Sequence, residues 1–171
     1  MKSGEELTYA LRKPMVKDAE SIWSLVKKTG VLDVNSTYAY MLLCRDFAET
    51  SVVVEQEQEI VGMVTGYVPP GRPQNLFIWQ IAVDASMRGY GLAGKMLHAI
   101  LERDHLTGIE FIETTVTLSN QASRRVFAKL ARHLETELSE EEGFPEDLFP
   151  DDHESEALIK IGPIQTSTLS N

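Results

Sequence analysis

With 171 residues, 26 acidic side chains against 16 Lys and Arg, and a formal charge of -10, the chain has the length of one domain able to bury about two-thirds of its surface. The acidic balance argues against a nucleic-acid backbone as partner, because phosphate contacts need clustered Lys and Arg, and suits a cationic or zwitterionic small molecule better. No apolar run reaches the roughly 18 residues of a membrane span, and Met1–Thr8 lacks an apolar leader core, so a cytoplasmic chain with no membrane partner is expected.

Leu7–Leu11 reads as a first strand. Asp18 is then placed to cap a helix with Ala19, Ile22, Trp23 and Val26 on one face and Gly30 at its left-handed end. Residues 31–40 mix short polar side chains with Tyr38 and Tyr40 on the way into a second helix, Tyr38–Phe47. That helix carries Cys44, the single cysteine, which excludes an internal disulfide or a thiolate metal cluster. A Cys-centred hydrolase using one of the four histidines is the alternative to a cysteine that only packs. Ser51–Glu55 and Ile60–Val68 form a hairpin across Gln56–Gln58, and Pro69, Pro70 and Pro73 take the chain out of the sheet.

Leu76–Val83 is a mostly apolar run with β-branched and aromatic members, as a buried central strand requires. A helix from Gly91 to Asp104, a strand from Ile109 to Thr117 and a helix from Ser119 or Asn120 through Leu130 complete an α/β order with mixed pairing. Eleven carboxylates between Glu135 and Glu156 mark that stretch as a solvated acidic loop on the substrate side. A closing strand over 157–162 and a frayed tail over 163–171 end a single domain spanning 1–171, with its ordered core over about 8–164.

The loop between the central strand and the next helix carries the chemistry. Gly89, Gly91 and Gly94 precede a helix whose first backbone N–H groups lack intrahelical partners and sit at the positive end of the helix dipole. This is a phosphate cradle. It is no P-loop, because Lys95 is followed by Met96 and no hydroxyl is available for magnesium. The glycine spacing also satisfies a dinucleotide fingerprint, with Glu110 or Glu113 downstream, which keeps a dinucleotide oxidoreductase as a distant alternative. Arg88-Gly89-Tyr90-Gly91-Leu92-Ala93 after a strand ending in Ala82-Val83, however, resembles the Arg/Gln-x-x-Gly-x-Gly/Ala signature of the GNAT superfamily of N-acetyltransferases.

That resemblance implies a mixed central sheet flanked by helices, with Leu76–Val83 and Ile109–Thr117 splayed. Acetyl-coenzyme A would be the co-substrate, with its pyrophosphate on Arg88, Gly89, Tyr90, Gly91, Leu92, Ala93 and Gly94. Ile81, Ala82 and Val83 would offer backbone to pantetheine. Asn120 matches an asparagine on the cofactor side, and Phe127 stands where many members carry a tyrosine that protonates the departing thiolate. The proton would then come from a tyrosine of the 38–40 segment or from water, or the thiolate would leave unassisted, stabilised by the helix N-terminus. A non-catalytic acyl-coenzyme A binding module stays open for the same reason.

Amine acetylation sets a further demand. An amine with a pKa of about 10.4 must give up its proton before attacking, at a cost of about 4 to 5 kcal/mol at pH 7, so carboxylates should hold a second, non-reacting ammonium instead. Gly30–Ser36, Tyr38, Tyr40, Cys44-Arg45, Phe77–Val83, Thr115–Asn120 and Asp152-His153-Glu154 together are similar to the diaminobutyrate acetyltransferases of ectoine biosynthesis over about residues 8–164. This likeness implies acetylation of the 4-amino group of a small diamine, L-2,4-diaminobutyrate, in a compatible-solute pathway, by a homodimer; another small amine is the same-class alternative. Joined to the charge argument, it puts the 2-ammonium on Asp33 and Glu154, the carboxylate among Asn35, Ser36, Thr115 and Thr117, and the side chain between Trp79 and Tyr38. His153 is a candidate base beside them. Trp79 as core and Asp33 as a turn cap are the plainer readings. Tyr38, Glu154 and Asn120 are the candidate catalytic residues, and no metal site has usable spacing.

Overall fold

The computed structural model describes residues 8–164; Leu7 of the expected first strand and the tail 165–171 lie outside the described residues. Seven strands, β1 (Ala10–Arg12), β2 (Val52–Gln56), β3 (Glu59–Tyr67), β4 (Asn75–Val83), β5 (Phe111–Thr117), β6 (Leu138–Phe144) and β7 (Glu156–Ile161), form one sheet in the order β1-β2-β3-β4-β5-β7-β6. Only β4 and β5 pair in parallel. Helices α1 (Ala19–Thr29) and α2 (Thr37–Asp46) cover one face, and α3 (Leu92–Leu101) and α4 (Gln121–His133) the other.

Each face has its own core. Ile22, Leu25 and Val26 of α1 meet Tyr40, Leu43 and Cys44 of α2 over Val53, Met63 and Ala82. Leu92, Met96 and Ile100 of α3 join Phe127 and Leu130 of α4 over Val52, Val64, Ile78 and Ile112. These two apolar layers bury what the 3.6-residue spacing of each helix presents.

Several element ends differ from the sequence reading, as at β1, β5 and β7, and four of the differences have a physical reason. The β2–β3 turn contracts to Glu57 and Gln58, both left-handed at φ 49° and 68°, as the twist of a two-residue hairpin demands. Helix α2 begins at Thr37 because the Ser36 side chain accepts from the Ala39 N–H. Helix α3 stops at Leu101, and Asp104–Leu106 forms a separate short turn. The acidic stretch is no loop along its whole length: Leu138–Phe144 is a strand, because β7 offers it a ladder from Ile161 to Glu156. Its charged, exposed residues suit an edge strand, which must not invite further pairing.

One irregularity organises the centre of the sheet. Thr65 on β3 pairs with Gln80, while its neighbour Gly66 pairs with Ile78, so Trp79 is an extra residue in β4. Side chains alternate along a strand, so one inserted residue moves everything after it to the other face. Leu76 and Ile78 accordingly pack beneath α3 and α4, whereas Ala82 packs beneath α1 and α2. At Gly66 an added Cβ would lie 2.7 Å from the Phe77 carbonyl oxygen, so only glycine lets β3 follow the bulge.

Asp18 occupies the cap position of α1 without capping it. Its carboxylate instead takes both terminal nitrogens of Arg12, at 2.7 and 2.9 Å, and the Met15 N–H at 2.7 Å. Burial opposes the charge, but the Arg12 and Met15 hydrogen bonds outweigh it and hold the carboxyl below its ordinary range. The folded pKa lies below the unfolded one, so the stabilisation is complete above the ordinary carboxylate value and is lost as pH falls through the folded value. Asp18→Ala is expected to lower stability by about 2 to 3 kcal/mol at pH 7 and to flatten its loss below pH about 4, read by urea unfolding across pH. An unchanged acid limb would remove Asp18 from this role.

Candidate active site

Parallel pairing of β4 with β5 ends at Phe77 and Glu113. Beyond that point the strands part, and a cleft of about 870 Å³ passes through the sheet between them. Trp79, Gln80 and Ile81 of β4 and Thr114–Thr117 of β5 form its floor. Val31–Asp33 and Asn35 close one side, and Phe144, Phe149, His153 and Glu156 the other. Asn120, Ser123 and Phe127 line it from α4.

The polar end is built around His153. The ring stacks on Phe149 at 4.0 Å and 18°, and Nδ1 lies 2.6 Å from the Glu154 carbonyl oxygen. A carbonyl only accepts, so Nδ1 carries the hydrogen and Nε2 is left toward the cleft. There Nε2 is 3.5 Å from Asp33 Oδ2 and 3.8 Å from Glu156 Oε1. Two carboxylates and a ring nitrogen thus surround one small volume, and an ammonium carries three hydrogens that could meet them.

The structure sorts the sequence candidates. Asp33, Asn35, Trp79, Thr115, Thr117 and His153 line the one cleft, and Trp79 is 40 % exposed there rather than buried in the core. Tyr38 does not: it is 68 % exposed on the outer side of α2 and lines no part of the cleft. Ser36 is used as the α2 cap and also lies outside it. Glu154 turns away to the Ser119 N–H at 3.2 Å, and the Ser119 hydroxyl and N–H hold its carboxyl below the ordinary range. Glu156, two residues on, is the carboxylate in the cleft: it is the first residue of β7 and shares the face of Leu158, whereas Glu154 lies before the strand and does not follow its alternation. The Glu156 position was readable only once β7 and its register were known.

Asn120 lines the cleft, but its side-chain oxygen caps α4 by accepting from the Ser123 N–H at 3.1 Å. Phe127 is 2 % exposed and packs as core while touching the cleft wall. Two residues to which the sequence reading gave no role stand at the site. Gln80 is a buried amide bonded to Tyr40 and to the Asp33 carbonyl, and Gly143 lines the wall where a Cβ would lie 2.3 Å from the Glu156 carbonyl oxygen. Gln80 within an otherwise apolar strand was the available signal.

On the far side of the sheet, the chain leaves β4 through Asp84, whose carboxylate binds the Ser86 N–H and hydroxyl. Gly89 and Gly91 follow in left-handed conformations at φ 88° and 72°, and α3 starts with no side-chain cap. A Cβ at Gly89, Gly91 or Gly94 would meet nothing within 4 Å. The glycines are therefore there for backbone geometry and for an open approach to the N–H groups, which fits a pyrophosphate. Of the three β4 residues expected to meet pantetheine, Ile81 lines the cleft, Val83 does not, and the Ala82 side chain is buried under α1 and α2.

Comparison with known proteins agrees with this geometry. Residues 15–131 match the model of the acetyltransferase (GNAT) family. The chain belongs to that family. It is 49 % identical over 152 residues, 88 % of each chain, to L-2,4-diaminobutyric acid acetyltransferase of Marinococcus halophilus. To the protein of the same name from Halalkalibacterium halodurans it is 46 % identical over 160 residues, 93 % of this chain and 84 % of the relative. The solved structure of diaminobutyrate acetyltransferase from Paenibacillus lautus, in complex with its substrate L-2,4-diaminobutyric acid and coenzyme A, superposes with a TM-score of 0.89 at 40 % identity, covering 92 % of this chain and 96 % of that one.

Cys44 is no nucleophile. It is buried within α2, and burial, with a smaller push from Asp18 against the pull of Arg12, raises its thiol to about 11. The folded thiol ionises later than the unfolded one, so stability is lost as pH rises from the ordinary thiol value of about 8.5 toward the folded value. Iodoacetamide at pH 8 should label Cys44 only after unfolding, and Cys44→Ala should keep acetyltransferase activity; labelling of the folded enzyme with loss of activity would reinstate the thiol.

Proposed function

We infer that this protein transfers the acetyl group of acetyl-coenzyme A to the 4-amino group of L-2,4-diaminobutyrate, yielding N4-acetyl-L-2,4-diaminobutyrate for ectoine formation. The observation that carries the reading is 40 % identity at a TM-score of 0.89 to an enzyme solved with that substrate and coenzyme A. The cleft supplies the chemistry. Asp33 and Glu156, with His153 Nε2 between them, would take the three hydrogens of the non-reacting 2-ammonium, and the pair of carboxylates keeps that nitrogen protonated and unreactive. Asn35, Thr115 and Thr117 would receive the carboxylate, and Trp79 would bound the short side chain.

The 4-amino group, free of a carboxylate, is then the nitrogen that can reach the thioester in its neutral form. The 4-ammonium first gives one proton to water. The nitrogen lone pair then attacks the carbonyl carbon, the C–N bond forms, and the C–S bond breaks with its electron pair leaving on sulfur as the coenzyme A thiolate. The nitrogen gives its second proton to water as the amide forms. Pantetheine would run between β4 and β5, and Arg88–Gly94 with the first turn of α3 would hold the pyrophosphate. Tyr38 lies outside the cleft and the Tyr40 hydroxyl is spent on Gln80, which favours water as the proton source for the thiolate. Nearness of the carboxylate to one amine and not the other gives regioselectivity. Glu156 replaces Glu154 in the clamp.

The reading extends to a cytoplasmic homodimer. Beside the charged edge strand β6 the side chains of Leu138, Phe144 and Leu148 are exposed, an apolar surface that a second copy could cover without extending the sheet. Light scattering after gel filtration tests this, with a mass of one chain rejecting it.

Turnover is tested by thiol release from acetyl-coenzyme A with L-2,4-diaminobutyrate, ornithine, lysine and spermidine, locating the new acetyl by NMR. Preference for diaminobutyrate with 4-acetylation is expected; a better substrate among the others would reassign the amine. Glu156→Gln should raise KM for diaminobutyrate about 10- to 100-fold, the size of one lost charge-assisted hydrogen bond, and loosen regioselectivity. Glu154→Gln should change KM less than about 3-fold.

A further inference from the structure

We propose that Gln80 is a positioning residue for amine recognition: its buried amide carries a one-way hydrogen-bond relay from Tyr40 to the Asp33 peptide and so aims the Asp33 carboxylate. This rests on the reading above, in which Asp33 binds the 2-ammonium.

The direction of the relay follows from valence. The Asp33 carbonyl oxygen, 2.8 Å from Gln80 Nε2, can only accept, so the amide nitrogen faces it. Oε1 then faces the Tyr40 hydroxyl at 2.9 Å, and that hydroxyl must donate. Both ends are anchored in the interior: Tyr40 is fully buried on α2 and Gln80 is 6 % exposed on β4. A buried amide is costly unless satisfied, and the one conformation that satisfies it is the one reaching the loop.

The loop needs the tether. Residues 31–36 lie between α1 and α2 and have no regular structure. Among the described residues, the Gln80 amide makes the only side-chain hydrogen bond from β3, β4 or β5 to them. The Asp33 side chain is 83 % exposed and reaches His153 Nε2 at 3.5 Å, a distance that a free loop would not keep. Orienting such a group costs conformational freedom, and a loop ordered beforehand avoids that cost when the amine binds.

Gln80 can reach Asp33 only because Trp79 is the extra residue of β4. With strict alternation from Ile78, Gln80 would point beneath α3 and α4, an apolar layer with no partner for an amide. The bulge thus serves both halves of amine recognition, presenting Trp79 to the cleft and turning Gln80 toward α2 and the loop.

The test is a double-mutant cycle. Gln80→Leu should raise KM for diaminobutyrate about 10- to 50-fold, leave KM for acetyl-coenzyme A unchanged and increase the share of 2-acetylated product. Asp33→Ala should raise the same KM, and in that background Gln80→Leu should add less than about 2-fold, because nothing is left to aim. A role confined to stability would instead give additive losses affecting both substrates. Should Gln80→Leu fail to fold, Tyr40→Phe removes one hydroxyl at nearly constant volume, frees the amide to turn, and should raise the amine KM about 3- to 5-fold; its effect should likewise vanish with Asp33→Ala. A silent Gln80→Leu or Tyr40→Phe beside an impaired Asp33→Ala overturns the relay alone. An Asp33→Ala enzyme with wild-type KM overturns both the relay and the clamp on which it rests.

Discussion

The separation of β4 from β5 is the constraint on which the remainder of the structure turns. Parallel strands that stay paired leave no room between them, and here pairing lasts for only three rungs, from Asn75 to Phe77. Two features keep the strands apart after that. Gln80 and Trp79 sit in a bulge that bends β4 with β3, and β5 is held on its other side by six rungs to β7. The opening is therefore a property of the sheet, present before any ligand arrives. Under the proposed function, a cofactor would approach through it from the face of α3 and α4 and an amine from the face of α1 and α2.

The two sides of the cleft use different physics. On the proposed cofactor side, recognition would rest on backbone: left-handed glycines, an uncapped helix start and a β4 edge that leaves β5 after Phe77. Such contacts would read a phosphate and an amide chain, and many side chains are compatible with them. On the proposed amine side, recognition would rest on named side chains held by others, with His153 packed on Phe149 and bonded to the Glu154 carbonyl, and the Asp33 carbonyl bonded to Gln80. Specificity belongs there, since the spacing of charges on a small molecule is what distinguishes one diamine from another.

A buried ionic network lies beneath the narrow end of the cleft. Glu113, the last β5 residue to pair with β4, accepts from Asn75 at 2.6 Å and from Arg72 at 3.0 Å, with Lys160 at 3.9 Å. It ties the loop of three prolines to the point at which the strands part. Removing one partner of a buried charge costs far more than the pair contributes. The network therefore marks where the sheet must remain closed.

How much of this the sequence could disclose depends on the range of the interactions involved. Elements driven by local patterns were legible: the amphipathic helices, Gly30 at the end of α1, the apolar β4 run, and the glycine loop with the family it signals. Asp33, Trp79 and His153 were also identifiable, because polar or aromatic residues in such contexts are conspicuous. Tertiary structure alone decided three matters. Strand β6 forms from glutamates because β7 offers a ladder, against local preference. Glu156, rather than Glu154, enters the cleft because β7 begins at Glu156, whereas Glu154 lies before the strand and turns to the Ser119 N–H, and Tyr38 falls on the exposed side of α2. The bulge at Trp79 reverses the faces of β4, and no pattern within Leu76–Val83 announces it, since the extra residue is defined only against β3.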